Sequence, residues 1–540
     1  MKAKPWALLS VSNKTGIEDC ARRLVALGWR IISSGGTAKK LKEAGVPVRD
    51  VAKLVGGGSI LGHRVVTLSR EVHAGLLANV DKQEDMKELK KLGIPVISMV
   101  ICDFYPLEKT ISEAGATPES VAEGTDIGGP CMVRSAAKGL RIVACTLQDR
   151  EVILRELEET GAVSKETRQR LRARAEFEVA KYVLASARYH GNGQFEGLMG
   201  ELVQELAYGE NKQKPARLYS TGSKDPLALE NFHVVEGSTP SYINVTDYDR
   251  EITTLTHVVN YIGKRGIIPC VCLVVKHGNC CGAGIDMDNP AQAVLNAVTG
   301  DTTAAMGGVV MCNFKLTKDL AGLMVHAGME GKTQKFDGVV APEIEEGVGE
   351  FLERVKGKCR MVVNPHLASR DLKMDSSLQC RPVRGGFLTQ PRDNYVPVLD
   401  DSTLVAGARD RDKELDLLLA GAIARTGNSN TITVVKNRKL LGNGVGQQDR
   451  VGAAMVALLR AKKAGNGGEL EDSVAWSDSF FPYPDGPKVL TDGGVKTIFS
   501  TSGSKAPGGG DPATIQHCKD AGANLHMLDD GCGARGFAVH

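Results

Sequence analysis

The stretch Cys270-Val-Cys-Leu-Val-Val-Lys-His-Gly-Asn-Cys-Cys-Gly282 decides how the chain is read. Its first six residues are a short apolar run of the kind that forms a buried strand. Gly282 and Gly284 follow, and glycine permits backbone turns that a side chain resists, so a turn is expected there. Lys276, His277 and Asn279 then stand at the end of a core strand, where a rigid sheet can aim them into a cleft. An imidazole takes a proton near neutral pH, and an adjacent ammonium can stabilise a developing oxyanion. The same residues also fit a basic strand end that simply faces water.

Whole-chain figures bound that reading. A chain of 540 residues is too long for one core, so two to four domains are expected. With 42% apolar and 24% charged residues it has the make-up of a soluble globular protein. A net charge of +3 excludes an overall basic footprint for nucleic acid but leaves room for a local anion pocket. No apolar run reaches the length of a membrane span. Met1-Lys2-Ala3-Lys4-Pro5-Trp6 lacks a signal-peptide core. Thirteen cysteines, an odd number scattered through apolar runs, fit a reduced cytoplasmic protein better than a disulfide framework. No Cys/His set has zinc-ligand spacing, so no metal is expected.

From the N-terminus, Ala7–Ser12 reads as a strand, Ile17–Leu27 as a helix and Trp29–Ser33 as a second strand. That β-α-β order predicts parallel strands with a right-handed crossover. Ser34-Gly-Gly-Thr37 forms a strand-to-helix turn, and Ser10, Ser12 and Lys14 end the first strand, so both can offer donors to one anion; plain turns are the alternative. Val96–Cys102 is a further strand ending in Asp103-Phe-Tyr105-Pro106. Asp126-Ile127-Gly-Gly-Pro130 opens a helix that carries Arg134 and Lys138. Residues 150–187 read as solvated charged helix without a catalytic signal, and a domain boundary is placed near residue 200. Beyond it, 229–245 reads as β-rich, with a helix from about Asp249 to Gly263. Gly442-Asn-Gly-Val-Gly446 reads as a nucleotide loop or a tight hairpin, and Arg384–Gln390 as an edge strand.

Taken in order, these segments match a family. The chain resembles the bifunctional purine-biosynthesis enzymes that join an AICAR transformylase to an IMP cyclohydrolase. The resemblance is carried by Ser10-Val-Ser-Asn-Lys-Thr-Gly16, Ser34-Gly-Gly-Thr37, Asp126-Ile-Gly-Gly-Pro130 with Ala136-Ala-Lys138, and Tyr208-Gly-Glu-Asn211. Further along it is carried by Lys276-His277-x-Asn279, Asn428-Ser-Asn430, Gly446-Gln-Gln-x-Arg450 and Ser477-Asp-x-Phe480-Phe-Pro. It implies formyl transfer from 10-formyltetrahydrofolate to AICAR by residues 200–540, and closure of the product FAICAR to IMP by residues 1–199. The implied fold is α/β: a methylglyoxal-synthase-like, doubly wound parallel sheet with a core at about 1–150, then two cytidine-deaminase-like subdomains without the zinc. A homodimer acting on nucleotide and folate is implied, with transformylase sites at the subunit interface and neither nucleic acid nor membrane as partner.

The resemblance also assigns roles. His277 would be the general base, and Lys276 and Asn430 would steady the oxyanion. Tyr208, Gly307, Asp337, Phe480 and Arg535 would touch the nucleotide, and Arg450, Asp485, Ser502 and Gly503 the folate. In the cyclohydrolase Lys138 would be the acid/base, with Tyr105 and Asp126 near the reacting carbon. Ser10, Ser12, Lys14, Ser34, Gly35, Gly36, Thr37, Arg64, Thr67, Asp103 and Ile127 would bind the nucleotide there. Some positions depart from the family. Val66 stands where a lysine is expected, with Arg70 nearby as a substitute cation. Asp103 replaces an Asn, Ala207 an Arg, and Cys280 a Pro. These departures leave two alternatives: a transformylase whose first domain only binds nucleotide, or a nucleotide-binding regulatory protein.

Overall fold

The computed structural model describes residues 4–62, 64–263, 266, 268–329, 331–352, 354, 357–506 and 509–540. The signal-peptide reading of Met1–Ala3 lies outside the described residues. The chain forms two compact units, Met1–Met199 and Gly200–His540.

In the first unit, β1 (Trp6–Ser10), β2 (Arg30–Ser33), β3 (Val48–Asp50), β4 (Ile97–Cys102) and β5 (Ile142–Ala144) make one sheet in the order β3-β2-β1-β4-β5. Every pairing is parallel, as the β-α-β reading requires. Alternate residues leave opposite faces, so Leu9, Ile31, Met99 and Ile101 join one apolar cluster and Leu8, Ile32, Val100 and Val143 another. The helix Ile17–Ala26 covers the first face through Ile17, Cys20, Ala21 and Leu24, which recur at helical spacing. Strand order reverses between β1 and β4, and the crevice at their carboxyl ends is where such sheets bind ligands. Two expectations are corrected. Gly35-Gly-Thr37 is not a turn before a helix but the first turn of the helix Gly35–Glu43. The charged stretch 150–187 lies in the helices Leu147–Thr160 and Lys165–Gly191, and it is not all solvated, because Arg150 is buried.

The second unit opens with a small hairpin, β6 (Glu201–Leu206) and β7 (Ala216–Ser220). Next come β8 (His233–Glu236), β9 (Cys270–Lys276), β10 (Asn279–Asp286), β11 (Val309–Cys312), β12 (Gly338–Ala341) and β13 (Arg360–Val363). A separate exposed hairpin follows, β14 (Leu378–Val383) with β15 (Gly386–Pro391), so the 384–390 segment is not an edge of the main sheet. The chain ends with β16 (Leu404–Ala406), β17 (Ile432–Lys436), β18 (Lys439–Gly444), β19 (Ser473–Ser477), β20 (Val495–Ser502) and β21 (Asn524–Asp529). These last strands and the β8–β13 set form one twelve-stranded sheet, β16-β21-β20-β19-β17-β18-β10-β9-β11-β12-β13-β8.

That order reads the same from either end. Each half has an edge strand, an antiparallel hairpin, a strand antiparallel to the hairpin's first arm, and two more strands parallel to that one. A helix precedes each hairpin, Tyr242–Gly263 or Arg411–Arg425, and another follows it, Pro290–Val298 or Arg450–Lys463. The halves meet where β10 and β18 run antiparallel at Gly284 and Lys439, so the two hairpin tips face opposite edges of the sheet.

The hairpins correct the reading of the glycines. The first turn is His277-Gly278, with φ of 54° and 70°, not Gly282–Gly284. The second is Asn437-Arg438, so Gly442–Gly444 is strand and not a hairpin turn, and only Val445-Gly446 lies beyond it. Gly282 and Gly284 lie inside β10, and Gly442 and Gly444 inside β18. A Cβ on any of them would come within 2.0–2.3 Å of a carbonyl oxygen of the following helix. Glycine is required here for close packing of helix on strand. Residues 229–245 are mostly not strand: only His233–Glu236 is, and a long helix begins already at Tyr242.

Candidate functional site

The edge of the sheet at the His277 tip collects the transformylase candidates. β9 delivers Lys276 and His277 there, and its antiparallel neighbour β11 begins on the same edge, after Gly307. Lys276 Nζ donates to the Met306 carbonyl at 2.7 Å, which uses one of its three donors. His277 is exposed, with left-handed backbone. Beneath the tip, Asp247 of the helix Tyr242–Gly263 accepts the Gly278 N–H at 2.7 Å. Burial pushes this carboxyl up to about 6, against the pull of that N–H and of His277. The Asn279 side chain donates to the His277 carbonyl and accepts from Asn428 N at 3.4 Å. This bond ties the tip to Asn428-Ser-Asn430. Asn430 Nδ2 donates to the Gln447 carbonyl at 2.9 Å.

Asp478 organises the far side of that loop. It is fully buried, accepts from Ser429 Oγ and Thr431 N, and pairs with Arg450 at 3.0 Å. Burial raises its carboxyl and lowers the Arg450 guanidinium, while each opposes the shift of the other. The C-terminal segment returns to the same loop: Gly536 N donates to the Asp478 carbonyl and Ser429 N to that of Val539. Arg535 lies 3.8 Å from Asp530 and over the ring of Phe537.

The other candidates are spread along the edge. Gly307 lies beside Asp337, whose carboxylate is taken by Arg354. The Tyr208 carbonyl accepts the Tyr242 N–H, which places Tyr208 at the start of the Asp247 helix. Phe480 is half-buried, and Asp485 is exposed at the first position of the helix Asp485–Asp492. Ser502 ends β20, and Gly503 N donates to Asp511 at 2.6 Å. β20 stands five strands from β9, so about 24 Å of sheet separates Ser502 from His277. One chain therefore joins Lys276, His277 and Asn430 but sets Ser502 and Gly503 apart from them.

In the first unit the switch-point crevice holds a second cluster. Asp103, just past β4, accepts the Ser12 and Asn13 N–H groups and pairs with buried Arg150 at 2.9 Å. Arg150 also donates to the Thr15 carbonyl, so this pair fixes the loop after β1. Ser10 is the last residue of that strand. The Lys14 ammonium donates to the Val11 carbonyl, its chain lies over Gly36, and burial lowers its affinity for a proton. Thr37 bonds the Val11 backbone, joining the β1 loop to the helix that Ser34 precedes. The first-turn N–H groups of that helix are open to an anion.

Asp126 accepts the Gly129 N–H at 2.8 Å, and its own N–H donates to Tyr182. Burial raises its carboxyl. Thr67 packs against Gly128, while Tyr105 and Ile127 are exposed. Arg64 is exposed and paired with Glu123. Val66 packs on the apolar cluster, and Arg70 is exposed and paired with Glu71, so neither puts a free cation in the crevice. Lys138 is the last residue of the helix Gly128–Lys138, about 15 Å along its axis from the end beside Asp126.

Sequence reasoning missed Asp247, Asp478, Arg150, Tyr182 and Gln447. Gln447 and Asp478 stood inside quoted motifs, which was their signal. Arg150 and Asp247 look like ordinary charges of amphipathic helices, and only the fold carries them to a site. Among the described residues no group of three or more His, Cys, Asp or Glu is placed to hold a metal ion. No helix among them is long and apolar enough to cross a membrane.

The family model described as "AICARFT/IMPCHase bienzyme" matches residues 136–460. One described as "MGS-like domain" matches residues 16–131. Three relatives, each named bifunctional purine biosynthesis protein PurH, are similar over nearly the whole chain. The Nostoc sp. protein is 33% identical over 503 residues, covering 92% of this chain and 94% of its own. The Synechocystis sp. protein is 34% identical over 508 residues with the same coverage. The Corynebacterium glutamicum protein is 33% identical over 553 residues, covering 99% of each chain.

Proposed function

The chain belongs to the AICARFT/IMPCHase bienzyme family, and we propose that its formyl transfer is carried by the His277 edge of residues 200–540 and its ring closure by the crevice of residues 1–199. It is a bifunctional enzyme of purine biosynthesis: a folate-type donor gives a formyl group to AICAR, and FAICAR is closed to IMP. The observation that supports the placement best is the Lys276–His277 tip, braced by Asp247 and tied through Asn279 to the Asn430 loop.

The donor is read as 10-formyltetrahydrofolate. The 5-amino group of AICAR attacks the formyl carbon while His277 takes the amine proton. Lys276 and the Asn430 amide face the oxyanion of the tetrahedral intermediate. As the bond from carbon to the donor nitrogen breaks, His277 returns the proton to that leaving nitrogen. Tyr208, Gly307, Asp337, Phe480 and Arg535 are assigned to the nucleotide, and Arg450, Asp485, Ser502 and Gly503 to the folate.

In the crevice, the helix turn at Ser34–Thr37 with Ser12 and Lys14 takes the phosphate, while Thr67 and Ile127 flank the ring. The carboxamide nitrogen closes on the formyl carbon and water leaves, with Asp126 and Tyr105 at the reacting carbon. Lys138 stands at the other end of its helix from Asp126, so one chain does not bring it to that carbon. Two observations support a homodimer that shares transformylase sites. One is the span of sheet between His277 and Ser502. The other is the exposed β14–β15 hairpin, which presents Leu378, Val383, Phe387 and Leu388.

Incubation with AICAR and 10-formyltetrahydrofolate, with products separated by chromatography, tests the reading. IMP without accumulated FAICAR is expected. FAICAR that accumulates refutes the crevice assignment, and unchanged turnover in His277→Ala refutes the base.

A further inference from the structure

We propose that Asp247 is a positioning residue for the formyl transfer: its carboxylate stands beneath the His277-Gly278 turn and steadies the imidazolium that forms as the amine proton arrives. The proposal rests on the reading of His277 as the base.

The geometry has two layers. Asp247 receives the Gly278 N–H at 2.7 Å, and the His277 amide and the charge of its imidazole both favour the ionised carboxylate. Glu251, four residues on along the same helix, is 0% exposed. Among the described residues neither of its carboxyl oxygens has a hydrogen-bond partner, and the Val275 amide faces it without ordinary bonding geometry. An ionised carboxylate is very costly in such a place. Burial, and then the charge of Asp247, push Glu251 well above the ordinary carboxylate range. One negative charge therefore serves the pair, and it belongs to Asp247, which has the N–H donors.

The second half of the sheet supplies an internal control. Under the opposite tip, Asp416 accepts the Asn437 and Arg438 N–H groups at 2.8 and 2.7 Å. Lys436 donates to the Glu471 carbonyl there, as Lys276 does to Met306. Holding a tip thus needs an aspartate in both halves. Asn437 occupies the place of His277, and Ala420, also buried, that of Glu251. The histidine and the second carboxyl occur together in one half only, so Glu251 is not part of holding a tip.

Few other charges face the pair. The Asp247 helix contributes Arg250, whose guanidinium donates to the Thr426 carbonyl, and Tyr248. The hairpin contributes His277 and the thiol of Cys281. The buried thiol of Cys280 shares the apolar face of that helix, while those of Cys272 and Cys312 belong to the opposite face of the sheet and interact with Glu251 only through the field. Arg425, from the packed helix Arg411–Arg425, is engaged by Asp393.

The test is the pH profile of formyl transfer, read as tetrahydrofolate release, in Asp247→Asn, Asp416→Asn, Glu251→Gln and His277→Ala. Asn at 247 keeps an acceptor for Gly278 N and removes only the charge. Expected is a fall in kcat of about ten- to a hundredfold with KM little changed, and an acid limb moved to lower pH as the imidazolium loses its partner. Asp416→Asn and Glu251→Gln should leave the limb where it is. The proposal is overturned if Asp247→Asn keeps both kcat and limb, if Asp416→Asn behaves as Asp247→Asn does, or if Glu251→Gln moves the limb. Should Asp247→Asn not fold, Asp247→Glu keeps the charge and must keep the limb; a limb displaced downward then overturns it. A limb that survives His277→Ala removes the base assignment and the proposal with it, and so separates the two failures.

Discussion

At the scale of single residues, what was legible was what lies together in the sequence. Lys276 and His277 are neighbours, so the chemistry proposed for them could be read before any fold. Asp247 is remote from them in sequence and reaches them only because its helix packs under β9. Its carboxyl titrates near 6 in the folded protein, above an ordinary aspartate. The native state then holds a proton that the unfolded chain has lost, so stability falls as pH rises from about 4 to 6 and the cost is complete above that. Asp247→Asn removes a penalty on the order of 3 kcal/mol. Thermal melts should show the variant more stable than the parent at pH 8, with the gap closing toward pH 4. Replacing Asp103 should destabilise instead. The sequence marked it as an odd replacement for Asn, and the structure pairs it with Arg150, whose side chain is 4% exposed. Asp103→Asn would leave that guanidinium an acceptor and the Thr15 carbonyl but no countercharge, and urea unfolding of the first unit should show a loss of up to about 3 kcal/mol.

At the scale of elements, the strands and most helices were legible from apolar periodicity, and the turns were not. Glycine has two uses, and a sequence does not say which applies. At Gly278 it serves the backbone angle; at Gly282, Gly284, Gly442 and Gly444 it serves contact with a helix. A Cβ at Gly284 would lie 2.3 Å from the Ala293 carbonyl oxygen, with no flexible side chain to give way. Gly284→Ala should therefore cost about 1–3 kcal/mol or more. Gly468→Ala, where nothing lies within 4 Å, should change stability by less than about 0.5 kcal/mol. Equal midpoints for the two in calorimetry would refute the packing account. The start of the 242–263 helix was misjudged because Tyr242, Ile243 and Val245 suit a strand as well.

At the scale of the molecule, the family was legible from its motifs, and with it two subdomains of one kind in the second unit; which strand of one half answers to which strand of the other was not. The tips Lys276-His277-Gly278-Asn279 and Lys436-Asn437-Arg438-Lys439 share little beyond their first lysine, and only topology aligns them. Each unit has apolar clusters drawn from its own residues. Calorimetry should accordingly resolve two transitions, with AICAR raising at least that of residues 200–540 by mass action. One transition, or none that responds to AICAR, would refute this division.

The symmetry about the seam of β10 and β18 is what duplication of one half would produce. A gene for one six-stranded half, pairing that edge with its own copy, would build the same sheet with two equal tips. Duplication and fusion would then free one tip from selection for chemistry while its aspartate stayed under selection for shape. On that history, reconstructed ancestors should place a histidine at both tips before the fusion and at one afterwards; asparagine at the second tip at every stage would refute it.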